Sequence, residues 1–136
     1  MADCIFCKIA AGDIPAQVVW QDEHAVAFRD IRPQAPVHVV FIPRRHVVSF
    51  AHVTSADGPF LGSLGVGLRA VAEAEGIAET GFRVLSNNGP HGGQEVAHLH
   101  VHLLGGRPLG PMLRQEVGVS RSAGTRGSDE ARRRIP

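Results

Sequence analysis

The sequence predicts an α+β protein, built on an antiparallel sheet of about five strands with one long and one short helix. Two observations indicate this class. Several short segments rich in β-branched residues are separated by glycine, proline and acidic turn residues. One longer stretch, residues 61–71, instead repeats its apolar residues at helical spacing. The chain has 136 residues, 43% of them hydrophobic, which suffices for one domain with its own core.

The first part of the chain predicts a short helix and a hairpin. The helix covers residues 4–11, with Asp3 as its N-terminal cap and Gly12 at its end. Residues 18–20 and 25–29 form the two strands of the hairpin, because an acidic turn separates two apolar runs.

Three further strands and the long helix complete the predicted fold. The strands cover residues 38–42, 82–86 and 97–104. The apolar face of the helix consists of Leu61, Leu64, Leu68 and Val71. Its predicted cap is Asp57 or Gly58, and Gly76 lies just past its end. Three glycines inside it (Gly62, Gly65 and Gly67) reflect either drift towards small residues or close packing against a sheet or partner helix.

The charges divide the chain into two parts. Residues 1–114 form the predicted domain and carry 9 basic and 10 acidic side chains, whereas residues 115–136 carry 5 and 3. We expect residues 115–136 to be a weakly ordered tail whose arginine run at 132–134 is solvated or contacts phosphate. The net charge of +1 excludes a strongly basic nucleic-acid coat or membrane binder, so neither partner is expected.

The location is predicted from what the sequence lacks. No apolar run approaches the roughly 20 residues that span a bilayer, and the N-terminal residues show no signal pattern. With only two cysteines, a disulfide scaffold is not expected. We therefore expect a cytoplasmic protein.

The most distinctive segment, residues 98–104, alternates histidine with apolar residues. Because strand side chains alternate between faces, His98, His100 and His102 share one face and the apolar residues line the other. Three interpretations follow: a polar strand face without function, a catalytic zinc site, or nucleophilic attack on phosphorus by a neutral imidazole.

The preceding loop, residues 87–94, favours the phosphorus chemistry. Its glycines bring backbone N–H groups close to an anion, and the side chains of Asn87 and Gln94 add hydrogen bonds. A phosphate cradle beside a row of histidines indicates phosphoryl or nucleotidyl transfer rather than metal-dependent hydrolysis.

Residues 98–104 match at every position the signature of the histidine-triad family, in which three histidines alternate with apolar residues. The similarity extends to residues 91–113, which resemble bacterial members of the histidine-triad nucleotide-binding branch, known as Hint. Residues 28–46 (FRDIRPQAPVHVVFIPRRH) and 5–9 (IFCKI) resemble two further family segments. The resemblance covers residues 4–113 and implies a histidine-triad (HIT)-like fold.

The resemblance implies a purine nucleoside phosphoramidase or nucleotide hydrolase that works as a homodimer with joined sheets and needs no organic cofactor. His100 would attack the α-phosphorus of a nucleoside monophosphate derivative and form a nucleotidyl-histidine. His102 would donate to the phosphate oxygens, and His38 would support the imidazole cluster. Two alternatives stay open: a dinucleoside polyphosphate hydrolase, as in the Fhit-like branch, and a nucleotide-binding regulatory module without turnover.

The resemblance also implies a nucleotide site. Asp30 would hold the ribose hydroxyls, or serve only as a turn acid. The base slot would consist of Ile5, Phe6, Ile9, Phe28 and Ile31, which are otherwise simple core residues. The phosphate loop would consist of Asn87, Gly93, Gln94, Glu95 and Val96. Because many family members have serine at the position of Glu95, the preference for a leaving group stays open.

Cys4 and Cys7 form a C-x-x-C pair, which indicates metal binding, redox chemistry or two buried thiols. The resemblance implies that this pair joins His46 and His98 to hold a structural zinc ion. Such a closed set of four ligands would remove His98 from the reaction, which counts against a catalytic zinc.

Overall fold

The computed structural model describes residues 3–114, so the predicted tail at residues 115–136 lies outside the described residues. Five antiparallel strands form one sheet in the order β1-β2-β3-β5-β4. The strands are β1 (Val18–Gln21), β2 (Ala25–Arg29), β3 (Val37–Pro43), β4 (Phe82–Leu85) and β5 (Val101–Gly105). The helices are α1 (Ile5–Ala11), α2 (Gly58–Ala74) and α3 (Gly89–Gly92), with 3₁₀ turns at Phe50–His52 and Ser55–Asp57. The predicted α+β class and its antiparallel sheet are confirmed.

The two faces of the sheet are covered by different helices. One face packs on α2 through a core that includes Phe41 of β3 and Leu103 of β5, both fully buried. The opposite face carries a smaller cluster of Val26, Phe28, Val40 and Ile42, against which Phe6, Ile9 and Ala10 of α1 pack. His38 has the same parity as Val40 and Ile42 along β3, so it lies on the face of α1.

One of the three helix glycines has a packing role. A Cβ atom at Gly67 would lie 2.6 Å from Cζ3 of Trp20, whereas one at Gly62 or Gly65 would meet nothing within 4 Å. The indole of Trp20 therefore lies directly against the α2 backbone at Gly67, with Phe41 at a ring-centroid distance of 6.3 Å. Close packing against the sheet explains Gly67 and not the other two.

We expect Gly67→Ala to lower the free energy of unfolding by about 1–2 kcal/mol, because the clash with Trp20 exceeds the gain of roughly 1 kcal/mol in helix propensity. Gly62→Ala is the matched control, since the same gain comes there without a contact. Urea unfolding of the three proteins measures both effects. Equal stabilisation by the two alanines would contradict the packing role of Gly67.

Two glycines at the end of β5 permit close approaches. A Cβ atom at Gly105 would lie 2.8 Å from Cδ1 of Ile77, and one at Gly106 would lie 2.8 Å from Cβ of Pro36. Gly106 also has a φ of +96°, which side-chain-bearing residues rarely adopt. The end of β5 therefore lies tightly against Ile77, which follows α2, and against Pro36, which precedes β3.

Several predicted boundaries are wrong. Cys4, not Asp3, caps α1, because its sulfur accepts the backbone N–H of Cys7 at 3.3 Å. Strand β5 begins at Val101 rather than residue 97, because the ladder with β3 ends at the pair Phe41–Val101. Leu99 N–H donates instead to Val47 O at 2.6 Å. Residues 96–98 bend, yet Leu99 packs in the core on the α2 side whereas the rings of His98 and His100 contact Phe6 of α1, so the side chains still alternate.

Within residues 3–114, none of the helices is long and apolar enough to cross a bilayer.

Candidate active site and metal site

Four histidines line the sheet face that α1 covers. His98 and His100 lie on the segment before β5, His102 lies on β5 and His38 on β3. His38, His98 and His100 are 4%, 0% and 6% exposed, so the imidazoles are set into the protein. The opposite side chains, among them Leu99, are fully buried against α2. The predicted division into a histidine face and an apolar face is present.

Hydrogen bonds determine which ring nitrogen carries the proton in His38 and in His102. A backbone N–H can only donate, so Nδ1 of His38 accepts from Gln34 N at 3.1 Å. The neutral ring of His38 then carries its proton on Nε2 and donates to Nδ1 of His102 at 2.8 Å. Asp30 Oδ2 lies 3.4 Å from the same Nε2. His102 is left with a proton on its outer nitrogen, Nε2, which is the correct state for a donor to an anion.

In neutral His100 the proton is on Nδ1, whereas in His38 and His102 it is on Nε2. A carbonyl oxygen can only accept, so Nδ1–H of His100 donates to His98 O at 2.8 Å. The lone pair of neutral His100 is therefore on Nε2. Ser86 Oγ donates to His100 O at 2.8 Å and fixes the backbone at this point. The site thus presents one imidazole lone pair beside one imidazole N–H, as nucleophilic attack on a phosphate ester or amide requires.

Burial favours the neutral forms of His102 and His38. Desolvation, together with the neighbouring imidazoles of His100 and His38, lowers the pKa of His102 to about 4 against the opposing effect of Asp30. Burial also lowers the pKa of His38, while the Asp30 carboxylate raises it. At neutral pH the ring of His102 is therefore uncharged, which preserves its role as donor through Nε2 and acceptor through Nδ1.

This pKa shift predicts an acid-sensitive fold. Unfolded His102 would titrate near pH 6.5 and folded His102 near pH 4, so between these values the unfolded chain binds more protons. The contribution is fully retained above about pH 6.5 and is lost as pH falls towards about 4. Urea unfolding across this range measures it. His102→Gln cannot titrate and should flatten the dependence, and an unchanged slope in this variant would assign the effect to other groups.

Cys4, Cys7, His46 and His98 form a second cluster beside the first, with their four ligand atoms within 4.8 Å of one another. Nδ1 of His98 lies 3.2 Å from Sγ of Cys4 and 3.5 Å from Sγ of Cys7. Nδ1 of His46 lies 3.3 Å from Sγ of Cys7. A tetrahedral zinc ion would separate its sulfur and nitrogen ligands by about 3.5 Å, which these distances approach.

The protonation of His98 suits a metal ligand. Its Nε2–H donates to Pro43 O at 3.0 Å, which leaves the Nδ1 lone pair directed at the two sulfurs. Burial lowers the pKa of His98 to about 4, so the ring is neutral, as coordination requires. Burial raises the pKa of the Cys7 thiol, a cost that a bound cation would remove by stabilising the thiolate. The donor set therefore fits a structural zinc ion.

The predicted base slot divides into two groups. Phe6, Ile9 and Phe28 belong to the cluster beneath α1, and Phe6 also lies edge-on to His100 at a centroid distance of 5.1 Å. Ile5 and Ile31 are 49% and 94% exposed, so they are not core residues. Exposed apolar side chains beside a buried apolar cluster are consistent with a surface that a planar base would cover.

Asp30 has one oxygen engaged by the backbone and the other near the imidazoles. Its Oδ1 accepts from Arg32 N at 2.8 Å, which shapes the turn after β2. Its Oδ2 lies beside His38. Asp30 therefore serves as the turn acid of one interpretation, while its partial exposure leaves it accessible to a ligand.

In the predicted phosphate loop, the side chain of Gln94 forms hydrogen bonds with backbone groups of the protein. Its Oε1 accepts from Gly89 N at 2.9 Å, and its Nε2 donates to Val48 O at 2.6 Å and Val96 O at 2.9 Å. A phosphate contact from this side chain would displace those bonds. Glu95 is exposed, and Gly93 closes α3 with a φ of +74°. Asn87 and Val96 are half-buried.

The HIT domain family model matches residues 11–109. This chain belongs to the HIT family. A purine nucleoside phosphoramidase of Escherichia coli is 49% identical over 111 residues, or 82% of this chain and 93% of that protein. Adenylylsulfatase HINT1 of Arabidopsis thaliana is 45% identical over 107 residues, or 77% of this chain and 72% of that protein. The crystal structure of a HIT family hydrolase from Legionella pneumophila has a TM-score of 0.76 at 47% identity and covers 79% of this chain and 96% of its own.

These relatives confirm the resemblance to the Hint branch of the HIT family. The matched residues contain all four histidines of the candidate active site, whereas Cys4 and Cys7 precede them. The family match therefore does not extend to the thiol half of the metal site, which depends on the geometry of this chain.

Sequence reasoning missed three groups that orient the imidazoles of this HIT domain: the backbone N–H of Gln34, the carbonyl of Pro43 and the hydroxyl of Ser86. Two of these are main-chain groups that every residue type supplies, so no residue pattern indicates them. Ser86 stands at the end of a predicted strand, and nothing in its neighbours points to His100.

Proposed function

We propose that this chain is a purine nucleoside phosphoramidase, a hydrolase that cleaves the bond between the α-phosphorus of a purine nucleotide and an amine. One observation carries the proposal: the ring of His100, with its lone pair on Nε2, lies at a centroid distance of 5.1 Å from the ring of His102, which carries its proton on Nε2. The names of the two curated relatives, a phosphoramidase and an adenylylsulfatase, support hydrolysis at the phosphorus of a nucleotide.

The reaction proceeds in two displacements. Nε2 of His100 attacks the α-phosphorus, so a phosphorus–nitrogen bond to His100 forms while the bond to the amine breaks. The leaving amine takes up a proton from a solvent water, and the hydroxide equivalent is consumed when the intermediate is hydrolysed. Nε2–H of His102 donates to a phosphate oxygen and stabilises its developing charge. His38 holds the ring of His102 through its own Nε2–H. Water then cleaves the nucleotidyl-histidine, which releases the nucleoside monophosphate and returns His100 with its proton on Nδ1.

A substrate comparison tests the proposal. Adenosine phosphoramidate and a diadenosine polyphosphate are supplied separately to the same preparation. We expect adenosine phosphoramidate to have the higher kcat/KM, by about tenfold or more. Preference for the dinucleotide would favour the Fhit-like alternative. Tight AMP binding without turnover of either compound would favour the regulatory module.

Zinc held by Cys4, Cys7, His46 and His98 is part of the proposal. When bound, the metal links α1 to the sheet and adds stability, and no step of the reaction passes through it. Because Nδ1 of His98 would be engaged, its imidazole takes no part in catalysis, while its carbonyl orients the nucleophile.

A homodimer with joined sheets is also proposed. Strand β4 is an edge of the sheet, and its residues Phe82 and Val84 are 41% and 43% exposed. An unpaired edge with exposed apolar side chains suits pairing with a second copy. Sedimentation equilibrium should give twice the chain mass. A monomer throughout the micromolar range would reject the dimer.

The remaining proposals concern location and substrate. The protein acts in the cytoplasm, and its partners are purine nucleotides with amine leaving groups, without nucleic acid or membrane. Asp30 is proposed to bind the ribose hydroxyls, and the backbone of residues 93–96 the phosphate. Glu95 is placed at the exposed rim, where its carboxyl would meet the leaving group.

A further inference from the structure

Arg44, the residue after β3, connects the end of β3 to the turn between β1 and β2 and to α1 through its guanidinium. Nε donates to Asp22 O at 2.9 Å and Nη2 to Gln21 Oε1 at 2.8 Å, both near the turn between β1 and β2. Nη1 donates to Ala10 O at 2.9 Å, in the last turn of α1. The backbone N–H of Arg44 donates to His24 O at 3.0 Å, so the residue is fixed at both ends.

Helix α1 requires such an external partner. It has only seven residues, and a helix of this length is not stable alone. The carbonyls of Lys8 and Ile9 accept from the N–H groups of Asp13 and Gly12, within the same segment. The carbonyl of Ala10 has Arg44 as its partner instead. A guanidinium at the C-terminal end of a helix also interacts favourably with the helix dipole.

The position of α1 determines two sites. Its first turn supplies Cys4 and Cys7, whereas His46 and His98 belong to segments that follow β3 and precede β5. Phe6, between the two cysteines, lies edge-on to His98 and His100 at centroid distances of 5.9 and 5.1 Å. A shift of α1 against the sheet would therefore move the thiol half of the metal site and one wall of the base slot together.

We propose that Arg44 is a positioning residue, which fixes α1 against the sheet and thereby sets both the retention of the metal and the affinity for the nucleotide. It contacts neither ligand site directly. The nucleotide half of this inference rests on the proposed function, whereas the metal half rests on the geometry of the four ligands.

The test uses the zinc-loaded full chain with Arg44→Ala and Arg44→Lys. For Arg44→Ala we expect zinc release to a chromogenic chelator to be about tenfold faster and the Kd for AMP to be about tenfold higher, because charged hydrogen bonds are lost. The kcat for adenosine phosphoramidate should change less than about twofold, since His100 and His102 are oriented by other groups. Arg44→Lys should give intermediate values, because it keeps the charge without the planar fork.

Arg45→Ala is the matched control. Arg45 is adjacent to Arg44, is one residue nearer to His46 in the chain, and directs its guanidinium to Asp57 at 3.0 Å. We expect it to leave zinc release and AMP affinity within about twofold of the parent protein. Equal effects of Arg45→Ala would assign them to the segment of His46 and overturn the proposal.

Two further outcomes would also overturn the proposal: unchanged zinc release and AMP affinity in Arg44→Ala, or a loss confined to kcat. If Arg44→Ala does not fold, Arg44→Lys carries the same comparison on its own, and parental values in that variant would count against Arg44. A parent protein that hydrolyses no phosphoramidate would contradict the proposed function alone, because zinc release and AMP binding are measured without turnover.

Discussion

Replacement of His100 by alanine should lower the turnover of adenosine phosphoramidate by at least about 10³-fold, because no other described imidazole presents a lone pair at this point of the site. Nδ1 of His38 accepts from a backbone N–H, Nδ1 of His102 accepts from His38, and Nδ1 of His98 faces the thiols. The affinity for AMP should change less than about threefold, since the removed ring supplies the attacking atom rather than the pocket. Steady-state kinetics and calorimetry measure the two quantities.

His24→Ala is the control for this experiment, because His24 lies in the turn between β1 and β2, where its Nε2 is 3.2 Å from Glu23 Oε1. It should retain parental turnover. Mass spectrometry of the parent protein, quenched during turnover, should find the nucleotidyl group on His100. Full activity of His100→Ala would reject the covalent mechanism.

Removal of the metal should have the largest effect on stability. Protein purified without chelators should contain about one zinc ion per chain. If free zinc exceeds its Kd a thousandfold, chelation lowers the free energy of unfolding by about 4 kcal/mol. The physical reason is that the metal would join Cys4 and Cys7, at the start of α1, to His46 and His98 in two other segments.

The double variant Cys4→Ser, Cys7→Ser provides the comparison. Its unfolding midpoint should lie near that of the chelated parent protein and should not respond to zinc or chelator. Thermal unfolding with and without a chelator measures this. Less than about half a zinc ion per chain in the parent protein, after purification under reducing conditions, would remove the metal site.

The histidine face could be predicted because strand alternation is a local property of the chain. The same alternation did not give the start of β5, since the ladder depends on the partner strand. Strand β3 ends at Pro43, which has no N–H to continue the pairing, and residues 98–100 lie outside the ladder. The type and approximate place of each strand and helix were therefore predicted better than the residues at which it begins and ends.

Contacts between residues far apart in the chain could not be predicted from residue patterns. Arg44 reaches Ala10 across 34 positions, and nothing near either residue distinguishes this arginine from its neighbour Arg45. The side chain of Gln94 was predicted to bind a phosphate from its place in a glycine-rich loop. In the structure it forms hydrogen bonds with the backbone of Gly89, Val48 and Val96. Each of these partners is set by the folded arrangement of the loops rather than by a residue pattern.

His98 takes part in two systems through different atoms. Its imidazole faces the thiols, while its carbonyl accepts from the nucleophile. A substitution here removes one ligand and leaves the main-chain acceptor in place, because every amino acid has a carbonyl group. The metal site and the catalytic site are therefore separable by mutation, and a lineage that lost the thiols and His98 could still orient its nucleophile. Loss of the His98 side chain would therefore remove a metal ligand and keep the main-chain acceptor that orients His100.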